Sequence, residues 1–380
     1  MATYGQLNAD NLTSSTGGVI SPNITSLRNR IINGAMVIDQ RDSGASVTNT
    51  TSLVYSIDRW ANLGSVASKF TVQQNAGSVT LPTGYINYLG VTSSSAYSVP
   101  TGELYNIRQI IEGLNITDLA WGTANAKTVT LSFWVYSSLT GTFGGSLIND
   151  GFNYSYPFSY SIPVANTWTQ ISLTITGPTS GTWLTTNGRG IIAIWSLGTG
   201  ATYSGTAGSW SANNYQSATG ATSVVGTSGA TFYITGVQLE VGAQATSFDY
   251  RPYGTELALC QRYYETSFTQ GVPPSNSAAS VNNGTHQTIT CYSVSGGWIS
   301  GVYYKVPKRI ASLSVTTYSF TGIGSGGLWA WYTTGWNTLS TTSVDYYSDT
   351  SFGLSGTSSS SFTANTTYIT TGAWAVSAEL

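Results

Sequence analysis

Hydrophobic residues alternate with polar residues along several short runs of the chain. In the run TVTLSFWVYSS, Val129, Leu131, Phe133 and Val135 occupy every second position. A period of two places one set of side chains on each face of a β-strand. The run WTQISLTIT repeats the pattern, GIIAIWSLG and ATFYITGVQLEVG are further candidates, and turn clusters such as GTFGG and TTNGRG separate them. Many short strands at this spacing predict an antiparallel jelly-roll β-sandwich over residues 28–250.

One segment interrupts this pattern and has the composition of a helix. Residues 251–266 begin with RPYGTELALCQRYYE, where most residues from Glu256 onward are good helix formers. Within it, Leu257, Cys260 and Tyr264 are spaced to form one apolar stripe on a linking helix. A helix of about ten residues is not stable alone in water, so it must be buried against a domain or against copies of itself.

Strand-like runs return after the helical segment. The paired prolines of GVPPSNSAASVNNG predict a loop, and the runs QTITCYSVS, GVYYKVP, ASLSVTTYSF and GLWAWYTT have β character. Residues 267–380 are therefore expected to form a second, smaller β-sandwich, which makes the chain all-β apart from one short helix. The polar residues 1–27 form an N-terminal arm that lies either against a neighbouring subunit or along its own domain.

Charge is scarce in this chain, and aromatic residues are abundant. Charged residues make up 7% of the sequence, against about 25% in a typical globular protein. The net charge of −2 provides no electrostatic attraction to nucleic acid or to an anionic membrane. The 12 Trp, 25 Tyr and 11 Phe residues exclude a disordered chain. The sequence shows neither an apolar membrane span nor a secretory leader, so we expect synthesis and assembly in a cytoplasm.

Three segments, in this order, resemble a family of tail and tail-fibre proteins of tailed bacteriophages. They read NRIINGAMVIDQR, YSIDRWAN and GATFYITGVQLEVGAQATSFDYRPYGTELALCQRYYE, and the likeness covers residues 28–265. The stretches YYKVPKRIASLSVTTYS and WAVSAEL resemble the C-terminal module of that family more weakly. The resemblance implies a jelly-roll domain similar to carbohydrate-binding modules, followed by a short helix and a C-terminal β domain.

The resemblance also implies a virion component, most often a homotrimer, that meets the host surface. On this basis the chain is expected to be a tail fibre that binds a host glycan, with the N-terminal arm attached to other virion proteins. Leu257, Cys260 and Tyr264 of three chains would then pack around the threefold axis. Two alternatives stay open: a head decoration or structural virion protein without glycan binding, and a glycan depolymerase. Neither the host, the receptor glycan nor the outward-pointing domain follows from the sequence.

Neutral glycans are bound by aromatic rings together with uncharged hydrogen-bonding groups, and this composition suits them. The densest aromatic clusters are GLWAWYTTGWN and SVDYYSD. The alternative for Trp329 and Trp331 is a place in the core or in a subunit interface, whereas the loop aromatics are better candidates. The predicted glycan-binding residues are Trp336, Tyr346, Tyr347, Trp329 and Trp331 in the C-terminal domain, and Tyr154, Tyr156, Trp210 and Tyr215 in the jelly roll.

Catalytic chemistry has little support in the sequence. His286 is the only histidine, and it lies in the polar stretch NNGTHQT. A glycosidase needs two carboxylates on opposite sides of the sugar bond, and the candidates here are Asp58, Glu112, Glu240 and Asp249. We interpret Asp58 and Glu240 as structural residues, and no catalytic residue is predicted.

Metal and cofactor sites are not predicted either. The two cysteines, Cys260 and Cys291, form no zinc-binding pattern. A structural calcium ion in an oxygen-rich loop is the one option, with Asp39, Asp42 and Asp249 as candidate ligands. The single basic cluster, KVPKR, contains Lys305, Lys308 and Arg309. We expect it either to contact acidic lipopolysaccharide or capsule or to lie in a solvated turn between two strands.

Overall fold

The structure, a computed structural model, describes residues 27–276, 285–319, 326–358 and 362–380. The predicted arm over residues 1–27 lies outside these ranges except for its last residue. Residues up to 250 contribute strands β1 (Val47–Thr48), β2 (Val54–Ile57), β3 (Trp60–Gly64), β4 (Phe70–Gln74), β5 (Leu89–Ser93), β6 (Leu104–Glu112), β7 (Val129–Ser137), β8 (Gly141–Ile148), β9 (Ser155–Ile162), β10 (Thr169–Ile175), β11 (Arg189–Thr199), β12 (Ser204–Gly205), β13 (Ser217–Ala218) and β14 (Thr231–Val241). One α-helix, α1 (Tyr253–Gln261), then precedes strands β15 (Tyr264–Thr266), β16 (Thr285–Cys291), β17 (Gly296–Tyr303), β18 (Ser314–Tyr318), β19 (Ala330–Tyr332), β20 (Trp336–Thr338), β21 (Thr341–Asp345), β22 (Ser351–Thr357) and β23 (Thr367–Ser377). Short 3-10 turns lie at Ala76–Ser78, Gly113–Asn115, Thr117–Leu119 and Ala201–Tyr203.

The first β unit is a sandwich of two six-stranded antiparallel sheets. Their strand orders are β1-β4-β5-β14-β7-β10 and β2-β3-β6-β11-β8-β9. The alternating residues of β7, including Leu131 and Phe133, point into one large core shared with Trp195 of β11. The fold class predicted from the period-two runs is therefore confirmed: the chain is all-β, with a sandwich over its larger part.

The second β unit is built around strand β23. The N-terminal half of β23 pairs with β16 on one side and β19 on the other, and its C-terminal half pairs with β15 and β18. A ladder of seven strands runs in the order β20-β19-β23-β16-β17-β22-β21. A strand that passes from one layer into another is typical of crossed sheets. The layers enclose a core that includes Trp329, Trp331, Phe352 and Trp374.

The helix is shorter than the predicted range of 251–266. It ends at Gln261, and Tyr264 belongs to strand β15, where it pairs with Ser377 of β23. Cys260 is fully buried against Ile32 and Ile38 of its own chain. Strand-forming aromatic residues follow the helix, so the chain turns into a sheet instead of continuing the helix. Among the described residues, no helix has the length and apolar character needed to cross a membrane.

The placement of the helix corrects the prediction of a trimer axis. Cys260 and Tyr264 are buried within one chain, and Leu257 is half-buried in the same small cluster. Cys260 and Tyr264 are already covered by their own fold, so they have no surface left for copies from two other chains. The alternative that the sequence left open, burial of the helix against a domain, is the one that the structure shows.

Ion pairs and hydrogen bonds join the two β units. Glu379, which follows β23, accepts hydrogen bonds from Arg59 and from Arg41, the latter at 2.8 Å. The Tyr55 hydroxyl donates to the carbonyl of Leu380 at 3.1 Å. Arg309 of the second unit donates to the carbonyl of Asn187 in the first. These bonds between described residues therefore form a junction of the two units. The predicted loop GVPPSNSAASVNNG lies partly outside the described residues.

Candidate functional site

The ladder of the second β unit has one buried face and one face that is open to solvent. Ile289, Cys291, Ile299 and Leu354 point into the core. The residues between them point the opposite way, because side chains alternate along a strand. We call the solvent side the outer face, and its described residues include Trp336, Tyr332, Ile369, Thr288, Thr367, Thr290, Trp298, Ser355, Ser343 and Asp345.

Trp298 is the most prominent residue of the outer face. It lies on β17 directly opposite Thr290 of β16 and Ser355 of β22, and its side chain is 44% exposed. The ring of Tyr346 lies 5.6 Å from the Trp298 ring, and that of Tyr292 lies 6.2 Å away. Both tyrosines are exposed, at 75% and 59%. We call these three residues the Trp298 cluster.

The exposure of the Trp298 cluster is unusual because its members are large aromatic residues. Burying such a ring stabilises a fold by about 2 kcal/mol or more, so exposed rings in mutual contact forgo that gain. Rings that contact one another on the surface of a sheet present apolar area at fixed positions. Such a surface is suited to a ligand with flat apolar patches.

A second pair of aromatic residues lies on the other side of the outer face. Tyr332 of β19 is opposite Trp336 of β20, and their ring centroids are 5.2 Å apart. Tyr332 is 42% exposed, and Trp336 is half-buried. Ile369 of β23, also exposed, pairs with Tyr332. We call Tyr332 and Trp336 the Tyr332 pair.

The groups around these rings are hydroxyls. The Thr290 and Thr367 hydroxyls are 3.3 Å apart, and both side chains are exposed. The hydroxyl of Ser355 donates to the carboxylate of Asp345 at 2.7 Å, at the β21 edge of the ladder. Asp345 is the one charged side chain among the residues named on the outer face. The surface therefore offers neutral donors and acceptors beside aromatic rings.

The structure separates the predicted C-terminal glycan residues into two groups. Tyr346 and Tyr347 are exposed, and Trp336 lies on the outer face. Trp329 and Trp331 are buried in the core, so their prediction as glycan contacts is wrong. The backbone carries Trp331 on the inward side of β19 and Tyr332 on the outward side, because adjacent residues of a strand face opposite ways.

The predicted jelly-roll residues come together around the loop between β11 and β14. Tyr154 stacks on Trp210 at 5.8 Å, and Tyr156 lies 5.1 Å from the same ring. Both are half-buried, and the Trp210 ring nitrogen donates to the carbonyl of Thr176 at 2.7 Å. Tyr215 and Trp210 line an open cavity of about 350 Å³ with serine and threonine residues. These rings mostly cover the main core, so they are a weaker candidate site than the outer face.

The four carboxylates considered for glycosidase chemistry each have a structural partner. Glu112 accepts hydrogen bonds from Arg262 and Tyr263, and Glu240 accepts from Thr246. Asp58 accepts two hydrogen bonds from Gln40, and Asp249 lies 3.4 Å from Arg28. Burial raises the pKa of Asp58 to about 7 although Arg41 lies nearby.

The candidate calcium ligands also have other roles. The Asp39 carboxylate accepts hydrogen bonds from the backbone amides of Arg41, Asp42 and Gly44. Burial and the nearby Asp39 raise the pKa of Asp42 to about 6. Within the described ranges, no three histidine, cysteine or acidic side chains come together as a metal site. Burial raises the pKa of the thiols of Cys260 and Cys291 as well.

The basic cluster in KVPKR is largely structural. Lys308 is fully buried and forms an ion pair with Glu265 at 2.6 Å. Arg309 donates to the carbonyls of Ala378 and Glu379 at 2.9 Å. Lys305 alone is exposed. The prediction of a solvated turn or of a contact with acidic lipopolysaccharide is therefore wrong for Lys308, whereas Arg309 is half-buried.

Sequence reasoning missed Trp298, Tyr292 and Tyr332 as site residues. The signal for Trp298 was present in GGWISG, because Ile299 is an obvious core residue and its neighbour must face outward. Strand β16 ends at the inward-facing Cys291, and Tyr292 follows it directly. The density of aromatic residues was a poorer guide than their phase relative to the core.

Comparisons with known proteins give little information about the function of this chain. No family model and no curated protein match the chain. Among solved structures, the enzymatically active domain of tailspike protein 4 of bacteriophage CBA120 is similar at 15% identity and a TM-score of 0.31, covering 60% of this chain and 22% of that one. The family 11 carbohydrate-binding module from Clostridium thermocellum, in complex with a β-1,3-1,4-mixed-linked tetrasaccharide, is similar at 10% identity and a TM-score of 0.26, covering 53% and 98%. TmCBM61 in complex with β-1,4-galactotriose is similar at 11% identity and a TM-score of 0.29, covering 57% and 99%. These three similarities are weak in both sequence identity and TM-score.

Proposed function

We propose that this protein binds neutral glycans on a cell surface through the outer face of its second β unit. The observation that carries the proposal is the Trp298 cluster, in which the exposed rings of Tyr292 and Tyr346 both contact the exposed ring of Trp298. Sugar rings present patches of C–H bonds that pack on aromatic faces, and their hydroxyls pair with neutral polar groups. Thr290 and Thr367 supply such groups beside Trp298.

The low charge of the outer face supports an uncharged ligand. A cationic surface would favour phosphate or acidic sugars through long-range attraction, and this face has no such field. The hydroxyl side chains also lose less on binding than charged groups do, because the desolvation of a hydroxyl is cheaper than that of an ion.

The test is binding of the purified protein to a printed array of bacterial surface glycans. The wild-type protein should bind one or more uncharged glycans, and Trp298→Ala should weaken that binding by about tenfold, the loss of about 1.4 kcal/mol. Tyr250→Ala is the matched control, because Tyr250 is an exposed tyrosine on the first β unit. Absence of binding by the wild-type protein, or equal binding by Trp298→Ala, would contradict the proposal.

We further propose that the binding protein is a phage tail fibre located in the virion. The segments that resemble tail-fibre proteins support this placement, together with assembly in the host cytoplasm, attachment through residues 1–27 and a homotrimeric state. The structure describes one chain, and the buried helix removes the surface that the sequence suggested for the trimer contact. Sedimentation velocity of the full chain measures the oligomeric state, and a monomer at micromolar concentration would refute the trimer.

A further inference from the structure

We infer that the outer face binds a linear, uncharged polysaccharide that lies extended across the strands. The inference rests on the proposed function and names its ligand class. The outer face holds two aromatic groups, the Trp298 cluster and the Tyr332 pair, on different strands. A ligand that contacts both must be longer than the gap between them.

Strand order sets the size of this gap. Tyr332 lies on β19 and Trp298 on β17, and β23 and β16 lie between these strands. Neighbouring strands are about 4.8 Å apart, so three intervals separate the two groups laterally by about 14 Å. The register also offsets them by two residues along the strands, since Tyr332 leads through Ile369 to Thr288, whereas Trp298 pairs with Thr290.

The surface between the two groups is continuous and exposed. Ile369 and Thr288 occupy one row, and Thr367 and Thr290 occupy the next. All four side chains are exposed. An apolar side chain beside a series of hydroxyls suits a polymer whose repeating units each present a C–H face and a rim of hydroxyls.

The negative charge of Asp345 disfavours anionic ligands on the outer face. The carboxylate of Asp345 lies at the β21 edge, where it is bonded to Ser355, and Tyr346 of the Trp298 cluster is the next residue in the chain. A polymer with a carboxylate or phosphate in each repeat would bring like charges toward Asp345. An uncharged polymer meets no such repulsion.

Length dependence follows from this geometry. A disaccharide reaches one aromatic group only, whereas a hexasaccharide can contact both at once. The second contact is then intramolecular and adds affinity, because the chain between the contacts holds the sugar near the ring.

The experiment first identifies an uncharged polysaccharide that retards the full-length protein in affinity electrophoresis. Partial hydrolysis of that polysaccharide gives a ladder from the disaccharide to the octasaccharide, and titration calorimetry measures the affinity of each oligomer. Trp298→Ala, Tyr332→Ala and the double variant are compared with Ile86→Ala, which removes an exposed apolar side chain elsewhere. Circular dichroism checks that each variant is folded.

We expect the affinity to rise with length and level off once both groups are reached. Trp298→Ala and Tyr332→Ala should each reduce hexasaccharide binding about five- to tenfold, while the disaccharide depends on only one of the two residues. Equal affinities for the disaccharide and the hexasaccharide, or full hexasaccharide binding by Tyr332→Ala, would overturn the inference and leave the proposed function intact. Failure of every polysaccharide to retard the wild-type protein would overturn both. Stronger binding of an anionic polymer would overturn the assignment of an uncharged ligand.

Discussion

The guanidinium of Arg262 and the carboxylate of Glu112 meet across the junction of the two β units, at 2.9 and 2.7 Å. Glu112 ends strand β6 of the first unit, and Arg262 follows helix α1 directly. The hydroxyl of Tyr263 donates to the same carboxylate. A two-point ion pair with a buried carboxylate fixes both distance and orientation, so it holds the helix against the first sandwich.

Replacing Arg262 by methionine should destabilise the protein by about 3 kcal/mol, because the buried Glu112 carboxylate loses its cation. Urea unfolding followed by tryptophan fluorescence measures this loss. The matched control is Arg189→Met, since Arg189 and Asp150 form an ion pair in which each side chain is about one-third exposed. That change should cost less than about 1 kcal/mol. Equal losses in the two variants would contradict the role given to Arg262.

The buried pair of Lys308 and Glu265 predicts strong coupling between two substitutions. Lys308→Met leaves the Glu265 carboxylate buried without its cation and should cost about 3 to 5 kcal/mol. Adding Glu265→Gln removes the uncompensated charge, so the double variant should be more stable than Lys308→Met alone. A double-mutant cycle on unfolding free energies measures this coupling, and additive losses would refute it.

Because the carboxyl group of Asp58 is buried, we expect the free energy of unfolding to depend on pH. Its pKa is raised to about 7 in the folded state, from an ordinary value of 3.8, because the carboxyl is buried. Between about pH 4 and about pH 7, the folded state therefore holds a proton at Asp58 that the unfolded state has already released. The free energy of unfolding falls as the pH rises through this window, because the unfolded state binds fewer protons. The slope from one such group is at most about 1.4 kcal/mol per pH unit.

Asp58→Asn should flatten this slope, and urea unfolding at several pH values measures it. Some slope of the same sign should persist, because burial and the nearby Asp39 raise the pKa of Asp42 to about 6. Asp150→Asn, which removes a partly exposed carboxylate from an ion pair, is the control variant. Wild-type stability that rises with pH across this window would be inconsistent with a buried, protonated Asp58.

A substitution at Gly372 can test the position of Trp329 in the core. A Cβ atom added at Gly372 would lie 2.3 Å from the indole ring of Trp329. Gly372→Ala should therefore lower stability by about 1 to 3 kcal/mol through overpacking. At Gly335 an added Cβ meets no atom within 4 Å, so Gly335→Ala is the control. Thermal unfolding compares the two, and unchanged stability of Gly372→Ala would place Trp329 elsewhere.

The strands of the first unit could be predicted from the sequence because their period is local. Val129, Leu131, Phe133 and Val135 are buried, as the alternation required. The partner of helix α1 could not be predicted, because an apolar stripe is the same whether it meets its own chain or another one. Cys260 lies against Ile32, a contact that only the tertiary fold brings together.

The candidate site was partly predictable for a related reason. Tyr346 was identified from its loop, and loops lie at the surface. Trp331 was misplaced because a run of aromatic residues does not reveal which alternate set faces inward. That choice depends on the pairing of β19 with β23, which is about 40 residues away in sequence.

The central position of β23 also affects the order in which the strands can pair during synthesis. Strands β15, β16, β18 and β19 all take β23 as a neighbour, yet each is synthesised well before it. Until residues 367–377 have left the ribosome, the edges of these strands that pair with β23 have no β23 to pair with. The first sandwich can close during translation, whereas the ladder of the second unit is complete only after β23, its last strand, has been synthesised.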